Sequence, residues 1–281
     1  MPECDPAPAQ ARRWSGLLGR SKPFGRQNRR DVLLFLLCAV GFLWLVARGA
    51  EGLGYNWQWY QVPRALYSHD QSSFTPGPLL QGLAVTLRLT ALSFCGALAV
   101  GLATALLRLS GSLAGRTLAR GYLECIRNTP LLIQLMFLYF VFAPMVGMEA
   151  FATAVLGLSL FEGAYVSEIL RAGILSIEPG QWDAAQSLGM DRWAAYRHVI
   201  LPQALRRVLP PLTGQGVSII KDSSLASAIA IGELTLRGQS IVAETFLSFE
   251  IWFTVAALYW LVTTALSGAA DALERRLAHP A

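Results

Sequence analysis

Residues 79–107 read LLQGLAVTLRLTALSFCGALAVGLATALL, with Arg88 as the only charged side chain. About 20 apolar residues in an α-helix span the hydrocarbon core of a bilayer. A backbone inside lipid must satisfy its own hydrogen bonds, so a run of this length predicts a transmembrane helix. The chain of 281 residues is 54% hydrophobic and only 15% charged, whereas soluble domains carry about 25% charged residues. We therefore predict an all-α integral membrane protein.

Further apolar runs predict about six transmembrane helices in all. We place them at roughly 32–50, 79–107, 118–147, 148–170, 204–231 and 250–270. Residues 1–31 are polar and rich in arginine, and we expect a disordered cytoplasmic tail there. A signal peptide is the alternative to a first span, but both the basic stretch and the apolar run that follows it are long for one.

The distribution of positive charge orients these helices. Most of the 23 lysines and arginines lie in the N-terminal tail or between spans on one side, and the positive-inside rule places that side in the cytoplasm. Both termini are then cytoplasmic, and residues 51–78 form an outer loop. The net charge of +5 does not indicate a nucleic-acid partner, because the arginines flank apolar segments. The cysteines and histidines show no metal-ligand spacing, so we expect no metal site.

The longest inner loop has its own folding signals. Residues 171–207 read RAGILSIEPGQWDAAQSLGMDRWAAYRHVILPQALRR. Pro179–Gly180 should end the preceding helix, and good helix formers follow over 181–188. Gly189 fits a left-handed C-terminal cap, and Asp191 fits the N-cap of a second short helix from Arg192 to about Ile200. Pro202 should then interrupt the chain before the fifth span. A structured cytoplasmic helix–turn–helix of this kind favours contact with a partner protein.

The stretch GQWDAAQSLG, with Leu201–Pro202 eleven residues further on, resembles the EAA loop of permeases from ATP-binding-cassette importers. Asp183 stands where that family usually has Glu. IRNTPLLIQ at 126–134, AYVSEILR at 164–171 and VILPQALRR at 199–207 are similar to the permeases for polar amino acids of the histidine and glutamine type. The resemblance covers about residues 80–276. It implies a type I permease core over 79–276, preceded by an additional span and periplasmic loop over 32–78.

The resemblance also implies a coupling helix within residues 178–203, seated on a separate ATP-hydrolysing subunit. Small side chains allow close approach, and Asp183 can accept a charged hydrogen bond from that partner. A P-loop needs Gly-Lys-Ser/Thr, and neither Lys22 nor Lys221 follows a glycine, so ATP and Mg²⁺ would be bound by the partner. The residues expected to couple the two subunits are Gly180, Gln181, Asp183, Ala184, Ala185, Gly189, Leu201 and Pro202. Further implied partners are a second permease subunit, identical or different, a periplasmic solute-binding protein, and a polar or charged amino acid as substrate.

Ionisable groups inside membrane spans are costly and therefore indicate function. The candidates for the substrate pathway are Glu162, Lys221, Asp222 and Ser224. Glu162 could attract a cationic amine. Glu168 and Arg171 are three residues apart on one helix, which favours a structural ion pair.

Two other classes of protein remain as alternatives. A secondary transporter or channel would require a coupling-ion site or filter and, typically, paired repeats with broken spans. The sequence shows neither, and that class leaves residues 171–207 without a role. A membrane enzyme would require a catalytic constellation, and the sequence has no motif of that kind. We therefore expect a transport subunit located in the bacterial inner membrane.

Overall fold

The computed structural model describes residues 27–52, 54–70 and 73–278. The chain divides into two compact units, one ending at Trp57 and one beginning at Gln58. The described part of the first unit contains helix α1 (Gln27–Gly52), with an apolar segment over Val32–Leu45. Residues 1–26 of the predicted tail, which was placed at 1–31, lie outside the described residues. Helix α1 begins at Gln27, before the predicted start of the first span at residue 32.

In the described residues of the second unit, the regular structure is helical apart from one antiparallel pair of short strands in the predicted outer loop. A 3₁₀ turn at Trp59–Gln61 comes first, and the elements that follow are α2 (Val62–Leu66), β1 (Tyr67–Asp70), β2 (Ser73–Pro76), α3 (Pro78–Leu109), α4 (Leu113–Arg127), α5 (Leu131–Phe137), α6 (Ala143–Val146), α7 (Ala150–Leu175), α8 (Pro179–Ser187), α9 (Arg192–Ala195), α10 (Leu201–Asp222), α11 (Leu234–Thr245) and α12 (Ser248–Ala278). A π-helical segment, Leu138–Phe142, joins α5 to α6, and a 3₁₀ turn, Ser223–Ile229, follows α10.

Within the described residues, three helices are long and apolar enough to cross a membrane by length and composition. They are Pro78–Leu109, Ala150–Leu175 and Ser248–Ala272, which agree with three of the predicted spans. The predicted class, an all-α membrane protein, is confirmed. The fifth predicted span, 204–231, corresponds to α10 and the 3₁₀ turn after it. Its arginines and glutamines make this segment less apolar than the other spans.

The prediction of one continuous span over 118–147 is wrong. Leu113–Arg127 and Leu131–Val146 are separate helical segments that meet at an angle of 104°. Pro130 lies between them with extended backbone angles (φ −62°, ψ 138°). Proline disfavours a helical conformation in the residue before it, so Thr129–Pro130 ends α4 and redirects the chain.

The predicted interruption at Pro202 is also wrong. The chain passes from α9 through a π-helical turn, Tyr196–Ile200, directly into α10, whose first turn contains Pro202. Proline lacks a backbone N–H and clashes with the carbonyl four residues earlier. The wider π turn immediately before α10 relieves that constraint, because its hydrogen bonds reach one residue further back. The second helix of the loop is therefore continuous with the fifth span.

Helix α3 packs closely along α7, and both helices run in the same direction. A Cβ atom added at Gly101 would lie 2.5 Å from Cγ1 of Val166, and one added at Gly163 would lie 2.9 Å from Cγ1 of Val100. The hydroxyl of Ser159 donates to the carbonyl of Ser93 at 3.3 Å. Small residues at such an interface let helix backbones approach closely and gain van der Waals contact in lipid, where no hydrophobic effect drives association.

The remaining helices pack around this pair. Helix α10 lies against α3 and α7 through a buried cluster of Ala97, Val166, Val208, Leu212 and Ile219. Helix α5 and the 3₁₀ turn after α10 lie against α3 and α7 in a second cluster. Helices α11 and α12 pack on the start of α3 and on α2 in a third. The α3–α7 pair is therefore the centre of this unit.

We expect Gly101→Ala to destabilise the protein, since the new methyl group meets Val166 and the carbonyl oxygen of Gly163, which would lie 3.1 Å away. Overpacking of this kind costs about 1–3 kcal/mol. The measurement is the thermal unfolding midpoint of the purified permease in detergent. Gly121→Ala on α4 is the matched control, because a Cβ there meets nothing within 4 Å. Equal unfolding midpoints for the two variants would contradict the close packing.

Candidate functional site

The inner loop forms the predicted helical hairpin. Helix α8 spans Pro179–Ser187, α9 begins at Arg192, and the two contact each other. Gly189 adopts φ +77°, the left-handed conformation expected of a C-terminal cap. The carboxylate of Asp191 accepts the N–H of Ala194 at 2.7 Å and caps α9. The sequence signals for these ends are local, and the structure confirms each of them.

The hairpin is attached to the spans on both sides. Its buried contacts are Ile177, Ile200 and Ala204, with Trp182 and Tyr196 packed against them. The amide of Gln203 donates to Oε1 of Gln181 at 3.1 Å, which joins α8 to α10. A guanidinium nitrogen of Arg207 donates to Oγ of Ser176 at 3.0 Å, which joins α10 to the end of α7. These contacts make the hairpin a rigid extension of α7 and α10.

Most of the predicted coupling residues are exposed. Leu201 is 45% exposed, whereas Ala185 is only 2% exposed because it packs within the hairpin itself. The side chain of Asp183 has no hydrogen bond or ion pair with any described residue, so its carboxylate faces solvent. The remaining exposed residues of the predicted set are Gly180, Gln181, Ala184, Gly189 and Pro202.

Sequence reasoning missed a cleft on the same hairpin. It has a volume of about 760 Å³ and is lined by Trp182, Gln186, Arg192, Trp193 and Tyr196. Trp193 is 69% exposed, and the rings of Trp182 and Tyr196 lie 6.1 Å apart. Two tryptophans within twelve residues of the predicted inner loop were the available signal. The cleft offers aromatic surface and one positive charge beside α8.

Glu162 lies at the centre of the membrane-spanning helices. It is fully buried on α7, and Gln215 of α10 donates an amide hydrogen to its Oε2. The carboxyl of Asp222 also approaches Glu162. Its other oxygen, Oε1, has no donor among the described residues. The structure therefore brings together two of the predicted pathway residues, Glu162 and Asp222.

Lys221 and Ser224 do not join this pair. Lys221 is exposed on α10, and the hydroxyl of Ser224 donates to the backbone carbonyl of Lys221 at 2.6 Å. Consecutive residues of a helix point in different directions. This explains why Asp222 reaches Glu162 while Lys221 does not.

Two other glutamates are fully buried, and both have clear structural partners. Glu233 caps α11 by accepting the N–H groups of Thr235 and Leu236 at 2.8 and 2.7 Å, and it also accepts the hydroxyl of Tyr259 at 2.8 Å. Burial raises the pKa of Glu233, and these hydrogen bonds act in the opposite direction. Glu250 accepts the N–H of Gln58 at 2.6 Å. Glu162 differs because one of its carboxylate oxygens has no donor among the described residues.

The predicted pair of Glu168 with Arg171 is wrong. Glu168 instead binds Arg108 at the end of α3, at 2.8 Å, and Arg127 at the end of α4, at 3.2 Å. The guanidinium of Arg127 also lies 5.8 Å from the ring centre of Tyr165. Partners from other helices prevail over the local i,i+3 neighbour, and they join three helices at one level.

Sequence reasoning also missed Gln215. It lies between two glycines in an otherwise apolar part of α10, GQG at 214–216, and a lone polar side chain there was a usable signal. In the sequence, Arg108 is only one of the arginines that the positive-inside rule places on the inner side. Its role as a partner of Glu168 depends on the packing of α3 beside α7 and has no local signature.

Comparisons with known proteins agree with this architecture. The chain is 41% identical over 214 residues to the glutamine transport system permease protein GlnP of Escherichia coli (strain K12), covering 74% of this chain and 97% of the relative. It is also 41% identical over 209 residues to the L-cystine transport system permease protein TcyB of Bacillus subtilis (strain 168), covering 74% and 89%.

Solved structures show the same fold. An amino acid ABC transporter crystallised with histidines matches with a TM-score of 0.67 and 38% identity, over 71% of this chain and 94% of the other. The MetNI methionine ABC transporter in an inward-facing conformation matches with a TM-score of 0.60 at 20% identity, over 71% and 95%. Residues 96–279 match the family of binding-protein-dependent transport system inner membrane components, and this chain belongs to that family.

Proposed function

We propose that this chain is the membrane-spanning permease subunit of an ATP-binding-cassette importer that carries a polar or charged amino acid across the inner membrane. The observation that carries the proposal is the helical hairpin at α8 and α9. The hairpin extends from α7 and α10. Gly189 ends α8, Asp191 caps the start of α9, and Asp183 exposes a carboxylate beside small side chains. Relatives named as permeases for glutamine and cystine support the substrate class.

The hairpin is suited to transmit force from an ATPase subunit. Gln203 ties α10 to α8, Arg207 ties α10 to the end of α7, and the π turn leads from the hairpin into α10 without a break. A displacement of α8 would therefore move α7 and α10 together and would not be absorbed by a flexible loop. Both helices carry pathway residues, so ATP-driven motion at the hairpin would reach the route of the substrate.

The energy source lies in a separate chain under this proposal. The sequence contains no Gly-Lys-Ser/Thr, so ATP and Mg²⁺ would be held by that ATPase subunit. The solvent-facing carboxylate of Asp183 would accept a charged hydrogen bond from an Arg or Lys of the partner. A second permease subunit would complete the pathway, and a solute-binding protein would deliver the substrate at the outer ends of the spans. Both termini would be cytoplasmic by the positive-inside rule.

Glu162 would contact the substrate inside the membrane. Two carboxyl groups as close as those of Glu162 and Asp222 cannot both carry a negative charge in an apolar interior unless a cation or proton compensates them. The ammonium group that every amino acid carries is such a cation. Gln215 holds one oxygen of Glu162 and leaves the other free to accept a hydrogen bond.

We expect Asp183→Lys to reduce ATP-driven uptake at least tenfold while the protein still inserts into the membrane, since a charged hydrogen bond contributes about 1.5–3 kcal/mol and reversal adds repulsion. Uptake of labelled amino acid is measured in proteoliposomes with the ATPase subunit that co-purifies and with the solute-binding protein. Asp183→Glu is the matched control and should retain uptake, because it keeps the charge. Full uptake by the lysine variant would rule out the coupling role of Asp183.

We expect Gly189→Val to uncouple ATP hydrolysis from uptake, whereas Gly189→Asn should remain coupled. At φ +77° a β-branched residue is strained, while asparagine tolerates the left-handed conformation. Nothing lies within 4 Å of the added Cβ in either variant, so only the backbone conformation differs. The measurement is the ratio of amino acid transported to ATP hydrolysed. The same ratio in both variants would show that the turn of the hairpin is unimportant for coupling.

We expect Glu162→Gln to lower uptake at least tenfold and to leave the basal ATPase rate of the assembled transporter unchanged, because the substitution removes the charge but keeps the shape. Glu149→Gln, on the exposed N-cap of the same helix, is the matched control and should transport normally. Uptake is measured in the same proteoliposomes. If the two variants transport equally well, Glu162 does not contact the substrate.

A further inference from the structure

Helix α4 presents three different faces around its axis. One face is buried: Ala119 and Leu123 pack inward, and the hydroxyl of Tyr122 donates to the carbonyl of Leu160 at 2.5 Å. A second face, the apolar row, is exposed and consists of Ala114, Leu118, Gly121 and Cys125. A third face, the basic row, is exposed and consists of Arg116 and Arg120. At 3.6 residues per turn the two rows are about 150° apart, on opposite sides of the buried face.

Both ends of α4 lie at the same level as the end of α3. At its start, a Cβ added at Gly115 would lie 3.2 Å from Cδ2 of Leu107. At its end, Arg127 binds the same carboxylate of Glu168 as Arg108 does. Leu107 and Arg108 are adjacent, so α4 runs across the end of the α3–α7 pair and not along it.

That level corresponds to the surface of the bilayer. In α3 the uncharged run between Arg88 and Arg108 is 19 residues, or about 28 Å at 1.5 Å per residue. A bilayer core is about 30 Å thick, so Arg108 lies where hydrocarbon gives way to head groups. The 104° angle between α4 and the segment that follows it agrees with a helix lying flat there.

The two rows fit opposite sides of the head-group layer. Leu118 is 69% exposed, and an exposed leucine beside a membrane span is most stable in the acyl region. The side chains of Arg116 and Arg120 form no hydrogen bond or ion pair with any other residue that the structure describes, and α4 contains one acidic residue, Glu124. An arginine guanidinium matches the geometry of a phosphate group and can bind it with two hydrogen bonds.

We propose that α4 lies in the plane of the membrane surface and that Arg116 and Arg120 bind the phosphate groups of anionic phospholipids, with the apolar row in the acyl region. This proposal goes beyond the transport function. It rests on the proposed function only for the choice of leaflet, since the proposed orientation places α4 at the cytoplasmic one. The hairpin at α8 and α9 supplies a separate surface for the ATPase subunit. The lipid site would hold the ends of α3, α4 and α7 at a constant depth beside that surface.

The first experiment measures phosphatidylglycerol bound to the purified, full-length permease by native mass spectrometry after extraction from mixed phosphatidylcholine–phosphatidylglycerol membranes. We expect Arg116→Gln with Arg120→Gln to weaken phosphatidylglycerol binding about 30-fold, because each basic side chain near an anionic surface contributes about 1 kcal/mol. Arg64→Gln with Arg237→Gln removes two charges from exposed residues elsewhere on the chain and should leave binding unchanged. Equal binding by both double variants and the original protein would overturn the proposal.

The second experiment tests the orientation of α4 and needs no ATPase subunit, so its result is independent of the transport function. A nitroxide on Cys125, with the other cysteines replaced, should be accessible to oxygen dissolved in the bilayer. A nitroxide on Arg120→Cys should be accessible to a water-soluble nickel chelate. If a protein partner covers α4 instead, both labels will be shielded from both reagents, and that outcome would also overturn the proposal.

Discussion

The close packing of α3 against α7 is the constraint on which the other parts of the membrane domain depend. Gly101 and Gly163 remove the side chains that would separate the two helices, and Ser159 adds a hydrogen bond across the contact. Because lipid provides no hydrophobic driving force between helices, this contact rests on van der Waals packing at short range. Glu162, next to Gly163 in sequence, is buried where α10 packs against this pair.

The same pair supports both of the proposed contact surfaces at its end. Helix α7 continues into α8 with only a short turn, and Gly173 near the end of α7 lies against Val208 of α10, so the hairpin's two supporting helices also touch closely. Arg108 and Arg127 share Glu168 about two turns before the end of α7 and hold α4 in position. The candidate contact with an ATPase and the proposed contact with lipid are therefore parts of one rigid end of the bundle.

Local signals in the sequence were sufficient for some of this structure. The caps at Gly189 and Asp191 depend on the residue itself and its immediate neighbours, so the hairpin could be predicted closely. The two proline predictions show where such reasoning ends. Pro130 redirects the chain by 104°, whereas Pro202 begins a continuous helix because a π turn precedes it. Whether a π turn forms depends on how α10 packs, and no local pattern in the sequence records that.

The contrast among the buried glutamates bears on why Glu162 is present. Glu233 and Glu250 show that this fold can supply N–H and O–H donors to a buried carboxylate where one serves the structure. Glu162 receives one amide from Gln215, faces the carboxyl of Asp222, and keeps an oxygen without a donor in the described chain. A buried acceptor left unmet costs stability, and a purely structural role would favour an apolar residue at that place. The arrangement is better explained by a cationic group that arrives and leaves, which is the requirement of a transport pathway.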